Sequence, residues 1–169
     1  LTNGQGGIFA QVPNTTSRTY SLAEDLVLID SQTWMVTNNG AGATTLNVSG
    51  AIDDRVLPYN LTKAGNGVLI LSGNNIYDGS TTVKTSGVLR ISHSNALGST
   101  NGTTVVENGG WLELSGGINT AEPITIVGET ALNYAGTIRN TGGSNTWSGL
   151  ITSGTGIGSR IRVYGGSLD

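Results

Sequence analysis

Leu61-Thr62-Lys63-Ala64-Gly65-Asn66-Gly67-Val68-Leu69-Ile70-Leu71-Ser72-Gly73 is the stretch from which this chain is read, because its second half returns twice. Gly87-Val88-Leu89-Arg90-Ile91-Ser92 and Gly110-Trp111-Leu112-Glu113-Leu114-Ser115-Gly116 share one form: glycine, any residue, leucine, any residue, an aliphatic, serine. The first leucine of each copy is Leu69, then Leu89, then Leu112. Thr81-Thr82-Val83 precedes the second copy and Thr103-Thr104-Val105 the third. Two linked patterns returning at roughly 20 to 25 residues predict a β-solenoid, in which each repeat buries its apolar side only against its neighbours.

Side chains alternate across a strand, so each copy has one inward pair. The inward residues are expected to be Leu69, Leu71, Leu89, Ile91, Leu112 and Leu114, with Val83 and Val105 lining another wall. Val68, Val88 and Trp111 then face outward beside Ile70, Arg90 and Glu113. Rungs lie about 4.8 Å apart, which lets Arg90 and Glu113 pair across one step. The apolar outward row Val68, Val88 and Trp111 is expected to contact a neighbouring segment or filament.

Outward from this centre the chain reads as short strands separated by turn residues. Ile8 to Val12, Tyr20 to Leu22 and Gln32 to Val36 are three of them. Leu26-Val27-Leu28-Ile29 is a continuous apolar run, the pattern of a strand buried on both faces. Thr45-Leu46-Asn47-Val48-Ser49-Gly50 fits the motif with Leu46 and Val48 inward. After the centre come Ile124 to Gly128, Ala131 to Tyr134, Gly136 to Asn140, Trp147 to Ile151 and Arg160 to Tyr164. No stretch keeps a 3.6-residue period, and glycine interrupts every candidate helix.

Of 169 residues only 11% are charged, and the net charge is −3 with a pI near 5.0. That balance predicts no nucleic-acid partner and no membrane insertion. Glycine is abundant at 27 residues, yet 36% of the chain is hydrophobic, so a packed core is expected rather than disorder. With no cysteine there are neither disulfides nor thiolate metal sites. The chain starts at Leu1, which reads as a processed or excised piece. No domain boundary is visible, so residues 1–169 read as a single solenoid segment, one unit or fragment of a longer fibre.

The run Leu61 to Val83, with Gly73-Asn74-Asn75-Ile76-Tyr77-Asp78-Gly79-Ser80 at its middle, resembles the autotransporter-associated β-strand repeat, also called the passenger-associated transport repeat. Ser31 to Val36, Ala96-Leu97-Gly98-Ser99 and Asn145 to Ile151 fit the same extended pattern. The resemblance implies an all-β, right-handed parallel β-helix in a secreted or surface-exposed bacterial protein. It brings no catalytic residues with it.

Enzymatic chemistry finds little to work with. Asp53-Asp54-Arg55 carries an acidic pair and reads as a solvated turn. Glu107 and Glu113 read as surface charges. His93, the one histidine, is expected to be exposed at a strand end and cannot build a triad or a histidine metal site alone. Asn14, Asn47, Asn60 and Asn101 each begin an Asn-x-Ser/Thr sequon in a chain rich in those residues. Trp34, Trp111, Trp147 and the tyrosines offer sugar-stacking rings if they are exposed. The expectation is a structural module serving adhesion or matrix building, without catalytic, cofactor or metal residues. The alternative is a carbohydrate-binding or polysaccharide-degrading protein on the same scaffold, with a surface polysaccharide as partner.

The ends carry one more pattern. Gly166-Ser167-Leu168-Asp169 followed by Leu1-Thr2 reproduces the motif with Thr in place of Ser. Leu1, Thr2, Gly166, Leu168 and Asp169 are therefore expected to form a head-to-tail joint with another copy, in a tandem array or a filament.

Overall fold

Leu, Ile, Val and Thr alternating with polar residues over three to six positions, then Gly, Asn or Asp, can build only short strands and corners. The structure, a computed structural model, describes residues 2–4, 6–12, 15–55, 57–128, 137–155 and 158–169, and every regular element in them is a strand. The strands wind into a β-solenoid of about six turns.

Each turn contributes to a first and a second sheet. The first runs Thr2–Gly4, Gly7–Gln11, Gln32–Thr37, Leu61–Ala64, Thr81–Val83, Thr104–Val106, Ile124–Ile126 and Ile151–Ser153. The second runs Arg18–Leu22, Thr44–Val48, Val68–Leu71, Val88–Ile91, Trp111–Leu114, Ile138–Asn140 and Ile161–Val163. A third wall holds Leu26–Val27 beside Ile52–Asp53, then Asn119–Thr120, Ser144–Trp147 and Ser167–Leu168. Among the described residues every strand pairing is parallel except one, where Thr2–Gly4 folds back antiparallel on Gly7–Gln11.

The motif fixes the register of the second sheet. Leu46, Leu69, Leu89, Leu112 and Ile138 are partners in one inward column, and Val48, Leu71, Ile91 and Leu114 in the next. All nine are at most 1% exposed. The motif glycines Gly87 and Gly110 sit where the corner folds over them: a Cβ there would come within 2.8 Å of Lys84 O and 2.9 Å of Val83 O.

The first sheet departs from expectation by one residue. Val83 is buried, but its partner is Val106, and Val105 faces outward at intermediate exposure. Thr81 pairs with Thr104 and not with Thr103, the first member of the matching Thr-Thr-Val triplet. A slip of one position exchanges the two faces of a strand.

Other expectations are corrected in the same way. Leu26 to Ile29 is not buried on both faces: Leu28 is 1% exposed but Ile29 is 77% exposed, because the solenoid has only one interior. Trp147 to Ile151 is two strands, Ser144–Trp147 and Ile151–Ser153, separated by a corner at Gly149. The expected strand Ala131 to Tyr134 lies outside the described residues, as do Leu1 and Asn14.

Polar side chains complete the third wall. Asn75, 2% exposed, accepts the Ile52 N–H through Oδ1 at 2.9 Å and donates from Nδ2 to Ala96 O at 2.6 Å. It thus links the turns on either side of its own. Asn145 accepts the Ile118 N–H at 2.8 Å and donates to Gly142 O and Asn140 Oδ1. Asp54 is not a solvated turn residue: at 6% exposure its Oδ2 accepts the N–H groups of Tyr59 at 3.1 Å and Asp78 at 2.9 Å.

Candidate interaction surfaces

Two surfaces stand out, the outward face of the second sheet and the C-terminal end. On the sheet face Val68, Val88 and Trp111 are direct partners in successive turns, each half-buried. The adjacent row is Ile70, Arg90, Glu113, Arg139 and Arg162. Arg90 donates from Nη2 and Nε to Glu113 Oε2 at 2.7 and 3.0 Å, the expected pairing. Arg139 approaches Glu113 Oε1 at 3.5 Å and lies 4.3 Å over the Trp111 ring. Glu113 is therefore not a plain surface charge. Two guanidiniums cover it, leaving 7% of it exposed. Glu107 does lie at the surface, ion-paired to Lys84 at 2.5 Å.

The C-terminal end is apolar. Ile138, Trp147, Ile151, Ile161, Val163, Leu168 and Asp169 line a groove of about 200 Å³. Ile151, Ile161 and Val163 are 40%, 52% and 48% exposed. They stand in the last strands of the first and second sheets, whose outer edges pair with no strand among the described residues. The Trp147 indole Nε1, buried beside this groove, has no hydrogen-bond partner among the described residues.

The two halves of the expected seam have partners within their own chain. Leu168 pairs with Asn145 in the third wall, and Asp169 bonds Asn145 O and the Trp147 N–H through its backbone. Gly166 takes a positive φ of 73° at the preceding corner. Thr2 lies in the antiparallel strand on the first sheet, and Leu1 is outside the described residues. A single strand running across the joint requires Thr2–Gly4 to leave that sheet.

Residues 61–91 give the decisive comparison, because they trace about one and a half turns: Leu61–Ala64, Val68–Leu71, the corner at Asn75, Thr81–Val83 and Val88–Ile91. They match the passenger-associated-transport-repeat. The match covers 31 of the 169 residues. In it the Gly-x-Leu-x-Leu element is the second-sheet strand, and the Asn75 corner leads into the next first-sheet strand. Comparison with curated proteins and with solved structures gave no match. A repeat of this family implies a β-helical passenger of autotransporter type, and with it a surface or secreted location.

Of the expected sugar platforms, Trp34 is 1% and Trp147 9% exposed, both part of the core, because their alternation places them inward. Trp111 alone of the three tryptophans lies on the outer face. His93 is half-buried rather than exposed, and its Nδ1 accepts the Asn95 N–H at 3.1 Å.

Lys63 and Glu122 are among the ionisable side chains enclosed within the coil. Lys63 is 0% exposed, and its ammonium donates to Ala64 O and Gly65 O at 2.7 Å each. Burial pushes its pKa from 10.5 down to about 7, while these carbonyls favour the charged form. Glu122 is 2% exposed, accepts Thr104 Oγ1–H at 3.1 Å through Oε1, and has no partner at Oε2 among the described residues. Burial raises its pKa from 4.5 to about 7.

The signs give a testable pH profile. Between pH 4.5 and 7 folded Glu122 holds a proton that the unfolded chain has released, so its contribution to stability falls as pH rises. Between pH 7 and 10.5 unfolded Lys63 is protonated and folded Lys63 is not, so its contribution rises with pH. Thermal unfolding of Glu122→Gln should lose the acid limb and that of Lys63→Met the alkaline limb. Profiles unchanged from the parent would refute both assignments.

Proposed function

We propose that this chain is a structural module of a secreted or surface-exposed bacterial β-solenoid that serves adhesion or filament formation by joining end to end. The observation that supports it best is the apolar C-terminal end, where Ile151, Ile161 and Val163 occupy open parallel edges. An open edge of this kind is a template for a further turn, and a heterologous contact that does not close produces a fibre. The N-terminal end differs, since Thr2–Gly4 already covers the first-sheet edge. Joining therefore begins on the Arg18–Leu22 edge of the second sheet and displaces that short strand. No catalytic or cofactor role belongs to this function.

Light scattering after size exclusion, with electron microscopy, tests the proposal. The parent chain should form rods that lengthen with concentration, and Ile161→Asp combined with Val163→Asp should stay monomeric with an unchanged circular dichroism spectrum. A parent chain that stays monomeric at high concentration, or rods that survive the double substitution, would rule the joint out. Lateral association is a separate step assigned to Val68, Val88 and Trp111. Trp111→Ser should leave single rods but fewer bundles, and bundling equal to the parent's would remove that row from the interface.

A further inference from the structure

We propose that Asn39-Gly40 is a site of spontaneous covalent modification, at which the chain converts its own asparagine to isoaspartate or aspartate. The proposal is independent of end-to-end joining. Asn-Gly occurs five times in the sequence, beginning at Asn3, Asn39, Asn66, Asn101 and Asn108. Glycine is the least hindering neighbour for this reaction, because no side chain shields its nitrogen. The sequence offers five equal candidates, and the structure separates them.

Four are held. Asn3 and Gly4 lie in the backbone ladder opposite Ile8 and Gly7. Asn66 Oδ1 accepts from Thr37 Oγ1 at 3.0 Å and from the Asn38 N–H at 2.8 Å, and the Gly67 N–H is donated to Val36 O at 2.8 Å. Asn101 Nδ2 donates to Asp78 Oδ1 at 3.1 Å, and a Cβ on Gly102 would come within 2.5 Å of Gly79 O. The carbonyls of Asn108 and Gly109 accept from Thr85 Oγ1 and the Ser86 N–H, at 2.8 Å each. Asn39 and Gly40 differ: both are exposed, and a Cβ built on Gly40 meets nothing within 4 Å. Among the described residues neither the Asn39 side chain nor the Gly40 N–H has a hydrogen-bond partner. The corner is closed beneath them, where Asn38 Oδ1 accepts the Thr44 N–H at 2.6 Å and Asn38 Nδ2 donates to Asn66 O at 3.2 Å. Asn39 and Gly40 can therefore change shape without opening a turn of the solenoid.

In the reaction the Gly40 nitrogen gives its proton to hydroxide and bonds to Asn39 Cγ. The Cγ–Nδ2 bond breaks, and ammonia leaves with a proton taken back from water, which restores the hydroxide. Water then opens the cyclic succinimide. Cleavage between the Gly40 nitrogen and Asn39 Cγ gives aspartate, and cleavage between that nitrogen and the Asn39 backbone carbonyl carbon gives isoaspartate, with an extra methylene in the main chain. In net terms a water enters and an ammonia leaves, and a carboxylate is added to a chain of net charge −3.

Ageing the folded protein at mildly alkaline pH, with peptide mapping by mass spectrometry, tests this. Asn39 should be modified roughly tenfold or more faster than Asn66, Asn101 or Asn108, because those packed steps must first open locally. In urea the rates should converge, since only the shared Asn-Gly chemistry then operates. Raising the pH should speed the change, as the Gly40 nitrogen must ionise. Asn39→Gln, whose longer side chain closes the ring poorly, should lose the first acidic species on isoelectric focusing while its circular dichroism spectrum stays the same. Asn39 intact while another step converts, equal rates at all five steps in the folded protein, or an acidic species that forms as fast in Asn39→Gln would each overturn the proposal.

Discussion

Leu112→Ala should lower the free energy of unfolding by about 2 to 5 kcal/mol, the range for truncating a fully buried leucine. Leu112 is 0% exposed and lies in the inward column between Leu89 and Ile138, so the missing atoms leave a gap facing two neighbouring turns. The column is rigidly spaced by its backbone ladder, which limits how far those turns can close on the space. Val88→Ala, one residue before Leu89 on the outward side, should cost well under half as much. Urea unfolding distinguishes them: a Leu112→Ala loss below about 1 kcal/mol would mean that the interior is loosely packed. Turns contact only their neighbours, so the transition of Leu112→Ala should also broaden as the N-terminal and C-terminal halves begin to unfold separately.

Asn75→Leu should be of similar size, about 2 to 5 kcal/mol, for a different reason: leucine fills nearly the same space but strands the backbone groups that the asparagine satisfies. It can neither accept from the Ile52 N–H nor donate to Ala96 O. Both of those residues are 0% exposed, and each stranded backbone group costs about 1 to 3 kcal/mol. Hydrogen exchange at Ile52 gives a local reading of the same event. Its amide should exchange much faster in the variant, while the Leu46 amide in the preceding strand should change little. Equal protection at Ile52 in both proteins would show that the asparagine is a spacer and not a connector.

Chemical contrast decided which parts of this fold were legible in the sequence. In Val68–Leu71, Val88–Ile91 and Trp111–Leu114 the inward positions are leucine and isoleucine and the outward ones include Arg90 and Glu113, so the two faces cannot be confused. The first sheet offers Thr103-Thr104-Val105-Val106, four β-branched residues that suit either face, and its register slipped by one. Lys63 was open to the same alternation, two places after the buried Leu61, but a lysine inside a coil is a placement that composition argues against. Asn75 looks like a turn residue, and nothing local marks it as buried. The arginine row was hidden by spacing. The step from Leu112 to Ile138 is longer than those from Leu69 to Leu89 and from Leu89 to Leu112, so Arg139 could not be aligned with Glu113 by counting. Trp111 was visible because it sits inside the motif itself.

The one exception to parallel pairing, together with the winding itself, sets how the molecule carries load. Every turn is held to the next by a ladder whose hydrogen bonds run along the solenoid axis. Tension applied between the two ends therefore opens those bonds one after another, as thread leaves a spool, instead of shearing a sheet all at once. A short turn leads from Leu61 to its partner Thr81, and a longer one from Gln32 to its partner Leu61. With roughly 20 to 30 residues in a turn and about 3.3 to 3.6 Å per extended residue, each turn releases roughly 70 to 100 Å of chain. A force–extension trace should show a series of low, similar peaks at such intervals, making the module an extensible tether that yields gradually where a rigid rod would snap.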